Sequence, residues 1–155
     1  MTFKILAEET DKLGITTVIK YSPHVSFTPA YTFFIREVAD LIDNKNSLPY
    51  TYWEDKDCAI IWAEQNEKVV GILVYDFSYV TNPMPHLSII LTAVDKNHRQ
   101  RGIHQIMNKH YEEQARQLNC VTIRATVNLN NEVRFKTAEK DKLSPVLYIM
   151  SKKIK

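Results

Sequence analysis

The sequence predicts a mixed α/β (α+β) fold in a single domain spanning residues 1–155. Three observations predict it. Apolar stretches of strand length are interleaved with stretches whose apolar residues recur every three or four positions, the two periods of strands and helices. One stretch, Val69 to Phe77, is apolar on both alternating faces, which places it in the middle of a sheet with helices over it. A length of 155 residues suits one domain, enough to bury roughly two-thirds of the surface that the unfolded chain exposes.

The elements follow in order. Thr2 to Ala7 and Ile15 to Tyr21 are candidate strands joined by a turn at Gly14. Thr28 before Pro29 forms an N-cap with proline in the first helical turn, where its missing N–H is no loss. Tyr31, Phe34, Ile35, Val38, Leu41 and Ile42 then line one face, so a helix runs over residues 29–43. Asn44 to Asp57 has no clean period, contains Pro49 and clusters Tyr50, Tyr52 and Trp53; loops of that length are often functional.

Cys58 to Glu64, a polar turn at Gln65 to Lys68, and Val69 to Phe77 read as a β-hairpin. Regular alternation puts Val69, Gly71, Leu73, Tyr75 and Phe77 on one face of its second strand and Val70, Ile72 and Val74 on the other. His86 to Val94 is another strand, with Leu87, Ile89, Leu91 and Ala93 on an apolar face. His86, Ser88 and Thr92, interrupted by Ile90, form a polar row on its opposite face. Ile103, Ile106, Met107, His110, Gln114 and Leu118 follow helical spacing, so a helix begins near Gly102 and ends near Asn119. Cys120 to Val127 is a strand, Asn128 to Lys140 a weaker helix, and Val146 to Lys153 a final strand.

Composition narrows the function classes. A formal net charge of +2 is too small for general affinity to nucleic acid or anionic lipid, which requires many phosphates to be neutralised together. Cys58 and Cys120 lack metal-ligand spacing, so no metal is expected. No charged and apolar leader opens the chain and no apolar run approaches the roughly 20 residues that cross a bilayer, so the expectation is a cytoplasmic protein, monomer or homodimer, without membrane contact.

Chemistry concentrates where a strand, a short basic loop and a helix follow one another: Leu91-Thr92-Ala93-Val94, then Asp95 to Gly102, then the helix from Ile103. A glycine at such a turn allows backbone angles closed to other residues and lets a ligand approach the amides. The first helical turn presents unsatisfied N–H groups and the positive end of the helix dipole. Arg99 and Arg101 add full charges, and a pyrophosphate is the ligand that suits this arrangement. The plain alternative is a solvated turn.

Arg99-Gln100-Arg101-Gly102-Ile103, preceded by Ala93-Val94, resembles the acetyl-CoA-binding motif of the GNAT (Gcn5-related N-acetyltransferase) family. Lys68-Val69-Val70-Gly71-Ile72 is similar to that family's third strand, and the element order from Cys58 onward is similar too. The resemblance implies a mostly antiparallel central sheet with helices on both faces, and acetyl-CoA as acyl donor. It implies that Leu91, Thr92, Ala93 and Val94 pair with the pantetheine arm. Arg99, Gln100, Arg101, Gly102, Ile103, His104 and Asn128 would complete the cofactor-binding residues. His104 stands where the family has Gly or Ala, and it either hydrogen-bonds the phosphate or obstructs it.

Acyl transfer to an amine needs a neutral amine, donors at the developing oxyanion and a protonated leaving thiolate. Some family members place a glutamate on the fourth strand; Ser88 aligns with it, so His86, two residues earlier, is the candidate base acting through a water at Ser88 or Thr92. The family's usual tyrosine is missing between Asn128 and Lys140, which leaves Tyr148, then Tyr111 or Lys136, as candidate acid. Tyr50, Tyr52 and Trp53 are the candidate acceptor-binding wall, or a satellite hydrophobic cluster. The expected activity is N-acetylation of a small-molecule or protein amine. The alternative, motivated by Ser88, His104 and the absent tyrosine, is a degenerate acyl-CoA-binding or interaction module; a nucleic-acid-binding reading of the basic loop ranks last.

Overall fold

The computed structural model describes residues 3–25, 28–30, 57–125, 132–145 and 152. Within them six strands, β1 (Lys4–Thr10), β2 (Thr16–Ser22), β3 (Cys58–Gln65), β4 (Lys68–Asp76), β5 (His86–Val94) and β6 (Thr122–Ala125), form one sheet in chain order. The first five pair antiparallel. β6 pairs parallel to β5, and the crossover between them is the helix α1 (Ile103–Gln117), as parallel neighbours require. A second helix, α2, covers Glu132–Lys140. The mostly antiparallel sheet with helices agrees with expectation.

Turn chemistry fixes the hairpins. β1 runs three residues further than the pattern indicated because the turn is set by Asp11, whose carboxylate accepts from the Leu13 and Ile15 amides at 2.8 and 3.0 Å, with Gly14 at φ 78°. Between β3 and β4, Asn66 and Glu67 both have positive φ, 50° and 62°, the two-residue turn whose twist matches that of the strands. After Pro29 only Ala30 of the expected 29–43 helix is described, and both residues are helical. The Thr28 hydroxyl donates to the Val25 carbonyl at 2.9 Å. The remainder of that helix, the 44–56 segment and all of the final strand except Lys152 lie outside the described residues.

One face of the sheet carries α1. Ile103, Met107, Tyr111 and Ala115, four residues apart, are buried against Leu73, Tyr75, Leu87 and Ile89. Gly71 makes this approach possible: a Cβ there would meet Ile103 Cγ2 and Met107 Cε, each at 3.1 Å. Leu118, assigned to that stripe by spacing, is instead exposed at the helix end. The helix closes through Asn119 at φ 56°, with Cys120 N–H donating to Ala115 O at 2.9 Å, so Cys120 and Val121 precede β6 rather than start it. The opposite face buries Ile60, Trp62, Ile72 and Val74 with Val25 and Ala30. There Glu64 accepts from Trp62 Nε1 at 2.8 Å and from Lys20 Nζ at 2.7 Å.

Two bulges correct the simple alternation. The β3–β4 register passes from Ala63↔Gly71 to Glu64↔Val69 and skips Val70. Val70 therefore joins Leu73 and Tyr75 on the α1 face, and Val69 joins Ile72 and Val74 on the other, the reverse of the expected assignment. The β4–β5 register passes from Val74↔Leu91 to Tyr75↔Ile89 and skips Ile90. Leu87 and Ile89 face α1, but beyond the bulge Leu91 and Ala93 face away from it, so the four do not form one apolar face.

Candidate functional site

Two stretches of backbone meet where β5 leads into α1. Leu91 to Val94 is paired with β4 on one side, while β6 reaches only Ile89 (opposite Ala125) among the described residues. The bulge at Ile90 thus follows directly on the last β5–β6 pair among the described residues. Leu91, Thr92, Ala93 and Val94 are all half-buried, and on the β6 side their N–H and C=O groups meet no strand among the described residues. An extended chain with amides of its own can take that place, by the logic that adds a peptide strand to an open sheet edge.

The loop after Val94 is tightly held. Asp95 N–H donates to Val70 O at 2.8 Å, which ties the loop to β4. The Asp95 carboxylate accepts from Asn97 N–H at 3.1 Å and from His98 Nδ1 at 2.6 Å, closing a 3-10 turn over Lys96–His98. The His98 bond, with the Asn97 amide, holds the Asp95 carboxyl below the usual carboxylate range. Arg99 Nε donates back to Val94 O at 3.1 Å.

Gln100 at φ 61° and Gly102 at φ 78° are left-handed on either side of Arg101, which turns the chain into α1. Such alternation gathers successive N–H groups into an anion-binding concavity. Gly102 is the N-cap and supplies no side-chain cap, so the first amides of α1 open onto this loop beside the exposed Arg99 and Arg101. Gln100 is exposed and Ile103 is buried in the core. His104 Nε2 bonds Asp141 Oδ2 at 2.8 Å, fastening the first turn of α1 to the residues after α2.

The other end of β5 holds the candidate base. His86 is 7% exposed, donates from Nδ1 to Met84 O at 3.2 Å, and stacks on Tyr79 with ring centroids 4.6 Å apart. A carbonyl can only accept, so Nδ1 carries the proton and Nε2 keeps the lone pair that a base needs. Ser88 shares the His86 face, away from α1. Thr92 does not: it pairs with Leu73 beyond the bulge and faces α1, so the expected polar row is broken, and its hydroxyl is buried without a hydrogen-bond partner among the described residues. Tyr111 is fully buried against Tyr75, and burial pushes its hydroxyl far above the usual tyrosine range, so it is core rather than a proton donor to a bound thiolate. Lys136 is exposed. Tyr50, Tyr52, Trp53, Asn128 and Tyr148 lie outside the described residues.

One charged residue escaped the sequence reading. Asp76 is buried at the end of β4, directly opposite Ser88. It sits in an apolar run, and its only signal was a charge where the alternation demanded a hydrophobe.

Comparison with known proteins agrees with this geometry. Residues 26–140 match the family model described as acetyltransferase (GNAT) family. An aminoglycoside acetyltransferase from an uncultured soil metagenomic sample, solved with sisomicin, superposes with a TM-score of 0.68 at 16% identity, covering 90% of this chain and 97% of that one. The aminoglycoside N-acetyltransferase AAC(6')-Iy, solved in complex with CoA, gives 0.68 at 13% identity, with 90% and 95% covered. A ribosomal-protein-alanine N-acetyltransferase from Brucella melitensis biovar Abortus 2308 gives 0.66 at 13% identity, with 90% and 98% covered. No curated protein matches the sequence. The structural likenesses establish a shared fold, and with the family match over most of its length the chain belongs to the acetyltransferase (GNAT) family.

Proposed function

We propose that this chain is a single-domain N-acetyltransferase of the cytoplasm that takes its acyl group from acetyl-CoA and passes it by direct attack to an amine of a small molecule or protein. The observation that carries the reading is the continuity of a strand edge that is open among the described residues, Leu91 to Val94, with a left-handed loop at Gln100 to Gly102 and a helix start without a side-chain cap. The edge suits the amide-bearing arm of a coenzyme A thioester and the loop its pyrophosphate, with Arg99 and Arg101 as counter-charges.

On this reading His86 Nε2 takes the amine proton, directly or through a water at Ser88, because Nδ1 is committed to Met84 O. Backbone N–H groups near the bulge polarise the thioester carbonyl. Tyr148 donates a proton to the leaving thiolate, and Tyr50, Tyr52 and Trp53 wall the acceptor. Asn128 completes the cofactor contacts, and His104 serves the site by holding α1 in place through Asp141. The solved neighbours include enzymes named for aminoglycosides and for a ribosomal protein, so small and macromolecular amines both stand as acceptor classes.

Titration calorimetry with acetyl-CoA tests the cofactor reading. The wild-type protein is expected to bind at micromolar strength, about −8 kcal/mol, and Arg101→Glu to weaken binding by about 10–100-fold. Absence of binding by the wild-type protein refutes it. A second reading, an acyl-CoA-binding module without turnover, is favoured by Ser88 in place of an acidic residue. Binding with no amine-dependent thiol release would establish that one.

A further inference from the structure

We propose that Asp76 supplies the negative charge that stabilises the acceptor nitrogen as it attacks, an inference that rests on the acyltransferase reading and adds a residue to it. Asp76 lies on the face away from α1, opposite Cys58 on β3 and Ser88 on β5. Directly opposed residues on neighbouring strands hold their Cβ atoms ~5 Å apart, so the carboxylate stands beside Ser88. Arg124 continues the row on β6, and His86 lies two residues along β5 on the same face.

Asp76 is 2% exposed. Its Oδ1 accepts from Ser78 N–H at 2.7 Å, and among the described residues the carboxylate has no ion-pair partner. The hydrogen bond shapes the turn after β4, but a neutral asparagine could accept it equally well. A charge is costly to keep this dry without a cation. The turn explains the oxygen and leaves the charge unexplained.

Aminolysis of a thioester supplies a transient cation. The amine lone pair forms the C–N bond, the carbonyl oxygen becomes negative and the nitrogen positive. The nitrogen then passes a proton to His86 Nε2, directly or through water, the C–S bond breaks, and the thiolate takes a proton from Tyr148 or solvent. The positive charge exists only between attack and proton loss. A fixed anion beside it therefore lowers the barrier without tightening the binding of a neutral amine, and exclusion of water strengthens the effect.

The test compares the wild-type chain with Asp76→Asn in steady-state acetylation, using the best acceptor from a panel of sisomicin, spermidine, lysine and a peptide with an N-terminal alanine. Acetyl-CoA calorimetry and thermal melting are run on the same proteins. Asparagine keeps the acceptor for Ser78 and removes the charge, so kcat/KM for the amine is expected to fall ~100-fold, with acetyl-CoA affinity and melting temperature preserved. Adding Ser88→Asp to Asp76→Asn returns a carboxylate to the row and is expected to recover about tenfold. Activity of Asp76→Asn within about threefold of wild type overturns the proposal. So does a loss accompanied by collapse of acetyl-CoA affinity, which marks a structural role, or a loss that Ser88→Asp leaves unrepaired. A wild-type chain that turns over no acceptor overturns the acyltransferase reading first, and this inference with it.

Discussion

The first half of β5, His86 to Ile89, is paired with β6 throughout and with β4 at Ser88 and Ile89, whereas beyond the bulge Leu91 to Val94 keep only β4 among the described residues. The second half, Ile90 to Val94, is the more apolar in sequence, four residues of five against two of four. Leu87 and Ile89 are packed into the core, while Leu91 to Val94 are half-buried throughout. One inserted residue, Ile90, separates a strand that builds the core from a strand that offers its backbone. On the proposed reading side chains do the work of the first half and main-chain amides that of the second, so substitutions in the two halves should be felt in different measurements.

Removing Ile90 should abolish the distinction and has the largest expected effect. Continuous pairing would keep Leu91 opposite Val74 and Ala93 opposite Ile72 but remove the bend in β5, and acetyl-CoA affinity should fall by more than ~100-fold, about 2.7 kcal/mol, in calorimetry. Gly71→Val comes next. Gly71 pairs with Val94 in the second half, and the new side chain would drive into Ile103 and Met107. Urea denaturation should show a loss of about 1–3 kcal/mol, with weaker acetyl-CoA binding because the start of α1 is displaced.

Tyr111→Phe probes the first half, where Tyr111 packs on Tyr75 opposite Ile89. Its hydroxyl is buried without a partner among the described residues, so removing it should leave stability unchanged or raise it by about 1 kcal/mol in the same denaturation. A clear loss would reveal a bound water in the core. The smallest effect concerns His110 on α1. Burial first, and then the Lys109 charge, lower its pKa below 6.5, against the opposing pull of Glu9 and Glu113. The unfolded chain thus binds the proton more readily, and stability should fall as pH drops below 6.5 and level off below the folded pKa. His110→Gln should flatten that limb of the urea midpoint plotted against pH.

Element existence was legible because period and turn residues agree: Gly14, the polar turn before Lys68 and the glycine before α1 all stand where the chain turns. Facing was less legible. Val69-Val70 and Ile89-Ile90-Leu91 place aliphatic residues in both phases of the strand, so alternation reads equally well with or without a bulge. The turn into α1 could be read because Gly102 stands where the backbone is left-handed. Asp76 could not, because its partner Ser88 becomes a neighbour only through strand register. His104 is similar: its bond to Asp141 joins residues 37 apart, and no local pattern encodes it.

The six described strands lie in the sheet in the order in which they occur in the chain, so this part of the sheet can grow at a single edge, each strand docking on the one before it. Hairpin contacts close early because they are local, whereas β6 must await the folding of α1 as a bridge. When it arrives it covers four residues of β5. On the proposed reading an acyl-CoA arm along Leu91 to Val94 would lie beside β5 as a strand does, and growth of the sheet would then be finished by a small molecule.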